Sequence, residues 1–149
     1  ILGNFHRIIA SLTDGSHAPT MAQWGYDNRT TALRVPGGSP KARRIEHRVA
    51  GGDVNPYLLC AAVLGAMMNG IEDAKAPPAP VSGNAYLKDA PRLAPDWNAA
   101  INAFETSGAI QRIFAPELIA NLVMTKRQEL AKTAEMDAEA LNTLYLDAG

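Results

Sequence analysis

Residues 28 to 48 read NRTTALRVPGGSPKARRIEHR, and six of the chain's 14 Lys and Arg residues fall there beside a single acid, Glu46. The segment carries about +5 in a chain whose formal charge is -1. A basic patch this local favours anions. Its pattern predicts two strands, Arg29 to Val35 and Arg43 to Val49, joined by Pro36-Gly37-Gly38-Ser39-Pro40. In the second, Ile45 and Val49 share parity, so alternation puts Arg44, Glu46 and Arg48 side by side on the opposite face. By the same parity His47 borders the core with Ile45. Arg29 and Arg34 differ by an odd number of positions, so either a bulge re-aims one of them or only one belongs to the site.

Solvated surface or a nonspecific polyanion patch is the ordinary reading of an Arg-rich stretch. Interleaving with Leu33, Val35 and Ile45 argues instead for strands whose apolar face packs on a core and holds the other face rigid. Arginine also meets phosphate or carboxylate with a planar, bidentate fork that lysine lacks. Nucleic acid fits poorly, because the segment has no aromatic side chain for base stacking and the chain's pI is about 6.3.

The rest of the chain reads as folded protein, with 47% hydrophobic and 19% charged residues in 149. The sole cysteine, Cys60, excludes an internal disulfide and reads as an inert core thiol in the apolar run Tyr57 to Met68. That run is too short to span a bilayer, and with no signal peptide evident the expected location is cytoplasmic, away from membranes. Asn55 as N-cap, Pro56 at the first position and Gly70 past the end bracket it as a helix, apolar all round and therefore expected to be buried. From Lys75 to Pro95 five prolines forbid a long helix and predict a surface loop, with Tyr86 exposed on it. Beyond it, Trp97, Ile101 and Phe104 share one face of a helix closed by Gly108. Leu118, Leu122 and Val123 share a face of a longer one starting near Pro116, and Asp137 to Leu146 forms a last short helix. Lys126, Arg127 and Lys132 near the end of the longer helix suit its macrodipole and call for no ligand.

The motifs WGYDNRT, LRVP, SPKARRIEHR and NPYL, at these spacings between Trp24 and Leu58, resemble the C-terminal catalytic half of the glutamine synthetase family. They are closest to its gamma-glutamylpolyamine synthetase-like branch, and the likeness continues more loosely through GNAYLKDAPRLAPDW, AFETSGAIQRIF and YLDAG. The resemblance implies an α+β fold, a short antiparallel sheet followed by helices, forming one side of a larger catalytic barrel. Residues 1–149 would then be a C-terminal fragment of the catalytic domain. The beta-grasp domain and first catalytic strands, with their paired glutamates and metal-binding His, would lie upstream. An Ile at position 1 agrees with a processed or a truncated origin without deciding between them, and the fragment alone should not catalyse.

The resemblance further implies ATP and Mg2+ or Mn2+ as cofactors, and glutamate with ammonia or an alkyl- or polyamine as substrates. Its implied partners are the rest of the ligase and further copies in a homo-oligomer. Arg29, Arg34 and Arg44 would contact the nucleotide phosphates or the acyl phosphate, with Arg29 and Arg44 acting in catalysis. Lys41 would lie near the nucleotide, Glu46 would bind one of two divalent metals, and Arg48 would meet the glutamate carboxylate or phosphoryl group. Arg7, in a degraded match to the family's substrate-gripping segment, would assist there. His17, in Gly15-Ser16-His17-Ala18-Pro19, stands where ammonia-using members place a flap Glu, which favours a larger amine as acceptor. The alternative from the residues alone is a stand-alone anion- or nucleotide-binding module without chemistry of its own.

Overall fold

The computed structural model describes residues 18 to 52 and 54 to 147, apart from the side chain of Asp147. The expectations for Arg7 and His17 lie outside the described residues. The fold is α+β, with a small sheet followed by helices. Strands β1 (Trp24–Tyr26), β2 (Leu33–Val35) and β3 (Glu46–His47) lie side by side in that order. β2 and β3 pair antiparallel, with Arg34 opposite Glu46. β1 and β2 pair in parallel, Gly25 opposite Arg34, so the sheet is mixed.

Both predicted strands are much shorter than expected: a turn occupies the first half of one, and in the other residues 43 to 45 stay extended but unpaired, leaving only Glu46–His47 in the sheet. The link from β1 to β2, residues 27 to 32, must carry the chain back before β2 can run alongside β1. Asp27 sits at φ 48° there, and Asn28 Oδ1 accepts from the Thr30 N–H at 2.9 Å and the Thr30 hydroxyl at 2.6 Å. Thr31 is fully buried, and its hydroxyl reaches the carbonyls of Asn28 and Leu33, both at 2.9 Å. A buried hydroxyl left unpaired would cost about 1–3 kcal/mol, so these bonds secure the turn.

The parity of β3 is as expected but its orientation is reversed. Ile45 is 49% exposed and His47 is exposed, whereas Glu46 is half-buried. Leu33 and Tyr26 are exposed as well, and the ion pairs of Glu46 outweigh the apolar pull of Ile45 in this sheet.

Helix α1 (Pro56–Glu72) begins as predicted, with Asn55 Oδ1 accepting from the N–H groups of Tyr57 and Leu58 at 3.0 and 3.2 Å. It runs past Gly70 to Glu72. It is not a buried helix: none of its residues is buried, Tyr57, Leu64, Met67, Met68 and Ile71 are exposed, and so is Cys60. A helix apolar all round needs cover on several sides, and the described residues supply one. On that side Leu58 and Ala62 touch the core, and Gly65 lies so close to Ile113 that a Cβ would approach it to 2.6 Å.

The core lies in the helical part. Helix α2 (Trp97–Thr106), capped by Asp96 through a 2.7 Å bond to the Ala99 N–H, buries Trp97, Ile101 and Phe104. Ser107 ends it and caps α3 (Gly108–Gln111). Helix α4 (Pro116–Thr133) adds Ile119 and Val123, and Phe114 stacks obliquely on Phe104. Leu118 is 37% exposed, so Ile119 takes the inward place predicted for it. Helix α5 (Ala138–Asp147) is tied to α4 by the Tyr145 hydroxyl, which donates to Glu129 at 2.7 Å. Lys126 pairs with the other oxygen of Glu129 and Arg127 with Glu105, so neither calls for a ligand.

The proline-rich loop folds back on the sheet. Trp24 Nε1 donates to the Pro78 carbonyl at 2.7 Å, and Val81 N–H to Trp24 at 2.8 Å. Ala85 N–H meets the Thr30 hydroxyl at 2.9 Å. Tyr86 is half-buried rather than exposed, and its hydroxyl is enclosed without a hydrogen-bond partner among the described residues.

Candidate active site

β2 and β3 bring Arg34, Arg44 and Glu46 together. Arg34 Nη1 donates to Glu46 Oε2 at 2.7 Å and Arg44 Nη2 to Glu46 Oε1 at 2.9 Å. The antiparallel register decides this pairing by setting Arg34 directly across from Glu46. Arg48 is not the second partner that strand parity suggested. β3 ends at His47, and the Arg48 guanidinium turns to the Thr31 carbonyl at 3.5 Å while its N–H bonds Ala32.

The paired guanidiniums, Arg34 foremost, hold the Glu46 carboxyl below the ordinary glutamate range, and Arg34 is raised in turn. Glu46 is therefore an anion throughout the neutral range. Desolvation lowers His47, whose Nδ1 accepts from the Ala50 N–H at 3.4 Å and so must be neutral to do so.

Arg29 does not join this unit. It sits in the turn before β2, which resolves the parity question: Arg34 alone belongs to the paired cluster. Arg29 is exposed beside an open cleft of about 430 Å³, between residues 26–29 on one side and 80–83 on the other. Lys41 and Arg43 are exposed near the short helical turn Pro40–Ala42. Among the described residues, Arg29, Lys41 and Arg43 have no carboxylate within ion-pair distance. Beside the Arg34–Glu46–Arg44 unit the described residues thus place further cations with no carboxylate partner, Arg29, Lys41 and Arg43 among them.

Two contributors were not singled out from the sequence. Asp27 pairs with Arg34 Nη2 at 3.1 Å, and Asn28 Nδ2 donates to the carbonyls of Val81 and Gly83 at 3.0 and 2.8 Å, fixing one cleft wall against the other. Asn28 had a local signal, since Asn before Arg-Thr favours a side-chain turn. Asp27 had none, because its partner lies across a strand pair.

The described residues contain no group of three His, Cys, Asp or Glu able to hold a metal. Glu46 fits as a single ligand of a divalent cation, since its two oxygens offer about four acceptor positions and the arginines occupy one on each. The remaining ligands must come from elsewhere.

Residues 4–143 match the family model for the glutamine synthetase catalytic domain. Over 116 residues the chain is 41% identical to a gamma-glutamylethanolamide synthetase of Streptomyces coelicolor, covering 78% of this chain and 25% of that protein. It is 35% identical over 116 residues to a glutamate–isopropylamine ligase of a Pseudomonas species, covering 75% and 25%. A solved structure of ligand-free GmaS superposes with a TM-score of 0.69 at 28% identity, covering 94% of this chain and 35% of that one. The chain thus spans about a quarter of the length of the curated relatives it matches. By the family match and the fold that carries it, this chain belongs to the glutamine synthetase family and forms part of its catalytic domain.

Proposed function

We propose that the full-length protein containing this chain is an ATP-dependent ligase that joins the glutamate γ-carboxylate to a primary amine. A carboxylate oxygen attacks the γ-phosphorus of ATP, the bond to the β-bridging oxygen breaks, and ADP leaves. The amine nitrogen then attacks the acyl carbon of the γ-glutamyl phosphate, loses a proton, and expels phosphate to leave an amide.

The observation that carries this reading is the locked Arg34–Glu46–Arg44 unit beside the uncompensated Arg29 and Lys41, on a catalytic domain of this family. Phosphoryl transfer spreads negative charge over the transferring group, and catalysis rests on cations placed beforehand. Arg29, Arg34 and Arg44 serve the phosphates, Lys41 the nucleotide, and Arg48, with Arg7, the glutamate carboxylate. Glu46 supplies one ligand to Mg2+ or Mn2+, which when bound would neutralise phosphate charge. The described residues place no group of carboxylates around Glu46 that could complete a metal site, and by itself this chain would be inactive.

The acceptor is an alkylamine or polyamine rather than ammonia. Supporting this are His17 in the place of a flap Glu and relatives named for ethanolamide, putrescine and isopropylamine products or substrates. An ammonium ion must be held by negative charge and deprotonated, and an imidazole does the first of these poorly, whereas an alkylamine also binds through its chain. The test is to supply ATP, glutamate and each amine separately to the full-length protein, following phosphate release and product mass. The expected result is fastest turnover with a primary alkylamine. Fastest turnover with ammonia at physiological concentrations would overturn the acceptor, and no ATP-dependent amide with any amine would overturn the ligase.

A further inference from the structure

Arg34 is the hub of the basic sheet, and half of its anchoring comes from a residue outside the roles assigned above. Asp27 Oδ1 accepts from Arg34 Nη2 at 3.1 Å and from the Gly37 N–H at 2.9 Å. One oxygen thereby ties the guanidinium carried by β2 to the turn that leaves β2 toward Lys41. The fit is close, since a Cβ on Gly37 would lie 2.5 Å from Asp27 Oδ2. Asp27 makes these contacts from a left-handed backbone conformation, φ 48°, which Asp and Asn tolerate better than other side chains. Glu46 meanwhile holds Nη1 from the opposite strand. The Arg34 side chain is 15% exposed, whereas Asp27 is 60% exposed and lines the cleft beside Arg29.

We propose that Asp27 is a positioning residue for phosphoryl transfer, acting through Arg34; this rests on the ligase reading above. A guanidinium offers five N–H donors in one plane. Two go to Glu46 and Asp27, and a third, on Nε, is buried without an acceptor among the described residues. With both η nitrogens anchored, the plane cannot rotate, and the two remaining η hydrogens keep fixed directions. A phosphate meeting such a fork does not have to order the side chain first, which is the advantage of preorganised charge. Without Asp27 the guanidinium pivots on Glu46 alone, and the turn at Gly37 loses the acceptor for its N–H.

The experiment uses the full-length ligase. Asp27→Gly removes the carboxylate while suiting the left-handed backbone, and Asp27→Asn keeps both the Oδ1 acceptor and that conformation. Asp27→Gly is expected to lose about tenfold in kcat/KM for ATP, with KM for glutamate unchanged, on the scale that loosened positioning costs. Asp27→Asn is expected to recover most of that loss. On an Arg34→Ala background Asp27→Gly should change the rate by less than about twofold, because a residue acting through Arg34 has nothing left to act on. A loss reproduced in full on that background marks a separate or merely structural effect and overturns the proposal. Parent-like kinetics in Asp27→Gly, with Arg34→Ala impaired, overturn it while leaving the ligase reading intact. Parent-like kinetics in Arg34→Ala itself overturn the phosphate clamp and this proposal together.

Discussion

The helical part, residues 97 to 147, and the sheet with its folded-back loop, residues 18 to 52 and 75 to 95, bury different chemistry. The first encloses Trp97, Ile101, Phe104, Phe114, Ile119 and Val123 as one apolar cluster. In the second the buried residues include Thr20, Gln23, Thr31, Ala32 and Ala85, all small or polar, while Tyr26, Leu33 and Ile45 face outward. The helices cohere through apolar burial, which is non-directional and tolerant of small shifts. The sheet coheres through directed bonds: Thr31 and Asn28 in the turn, Trp24 and Val81 to the loop, and Glu46 and Asp27 to Arg34. Directed bonds fix side-chain geometry, which charge recognition needs, and they leave less apolar surface enclosed. Stability and site geometry are thus lodged in different parts of one chain.

Substitutions should separate the two. Ile101 is fully buried, so Ile101→Ala should destabilise the full-length protein by about 2–5 kcal/mol through lost transfer energy and a cavity, read by denaturant unfolding. A cost under about 1 kcal/mol would remove the helical part's claim to be the stabilising core. Arg44→Lys should do the reverse, leaving unfolding unchanged while turnover with ATP falls more than about tenfold, roughly 1.4 kcal/mol, because a point charge cannot reproduce the guanidinium fork. Equal rates in the variant and the parent would place Arg44 outside the machinery.

The smallest expected effect lies in the acid range. The folded-state Glu46 carboxyl is held below its unfolded value, chiefly by Arg34, so its contribution to stability is present above the ordinary glutamate range and is lost as pH falls through the lowered value. Its part-exposed setting keeps that contribution small. Comparing unfolding midpoints of Glu46→Gln and the parent between pH 7 and pH 3 should show the two converging toward acid. A constant gap across that range would mean the pairing with Arg34 and Arg44 adds nothing to the fold. The same variant should weaken divalent-metal binding in the full-length ligase at neutral pH, a separate readout by metal titration.

What could be read in the amino-acid order alone was what depends on near neighbours. Asn55 and Pro56 announced the start of α1, because a cap bonds N–H groups two and three residues on. The spacing of Trp97, Ile101 and Phe104 gave the buried face of α2, and period-2 alternation kept Ile45 and Glu46 on opposite sides. The compound motif from Trp24 to Leu58 carried the family. Tertiary structure decided which side of β3 turned inward, since an Arg34 twelve residues away outweighed Ile45. It decided that β1 runs parallel to β2, that Arg34 rather than Arg48 completes the pair on Glu46, and that α1 stands largely uncovered among the described residues. Bonds from Asn28 and Trp24 to a loop more than fifty residues later were equally hidden. Spacing along the chain encodes contacts within a turn or a strand, whereas partners brought together across strands are set by where the whole backbone returns.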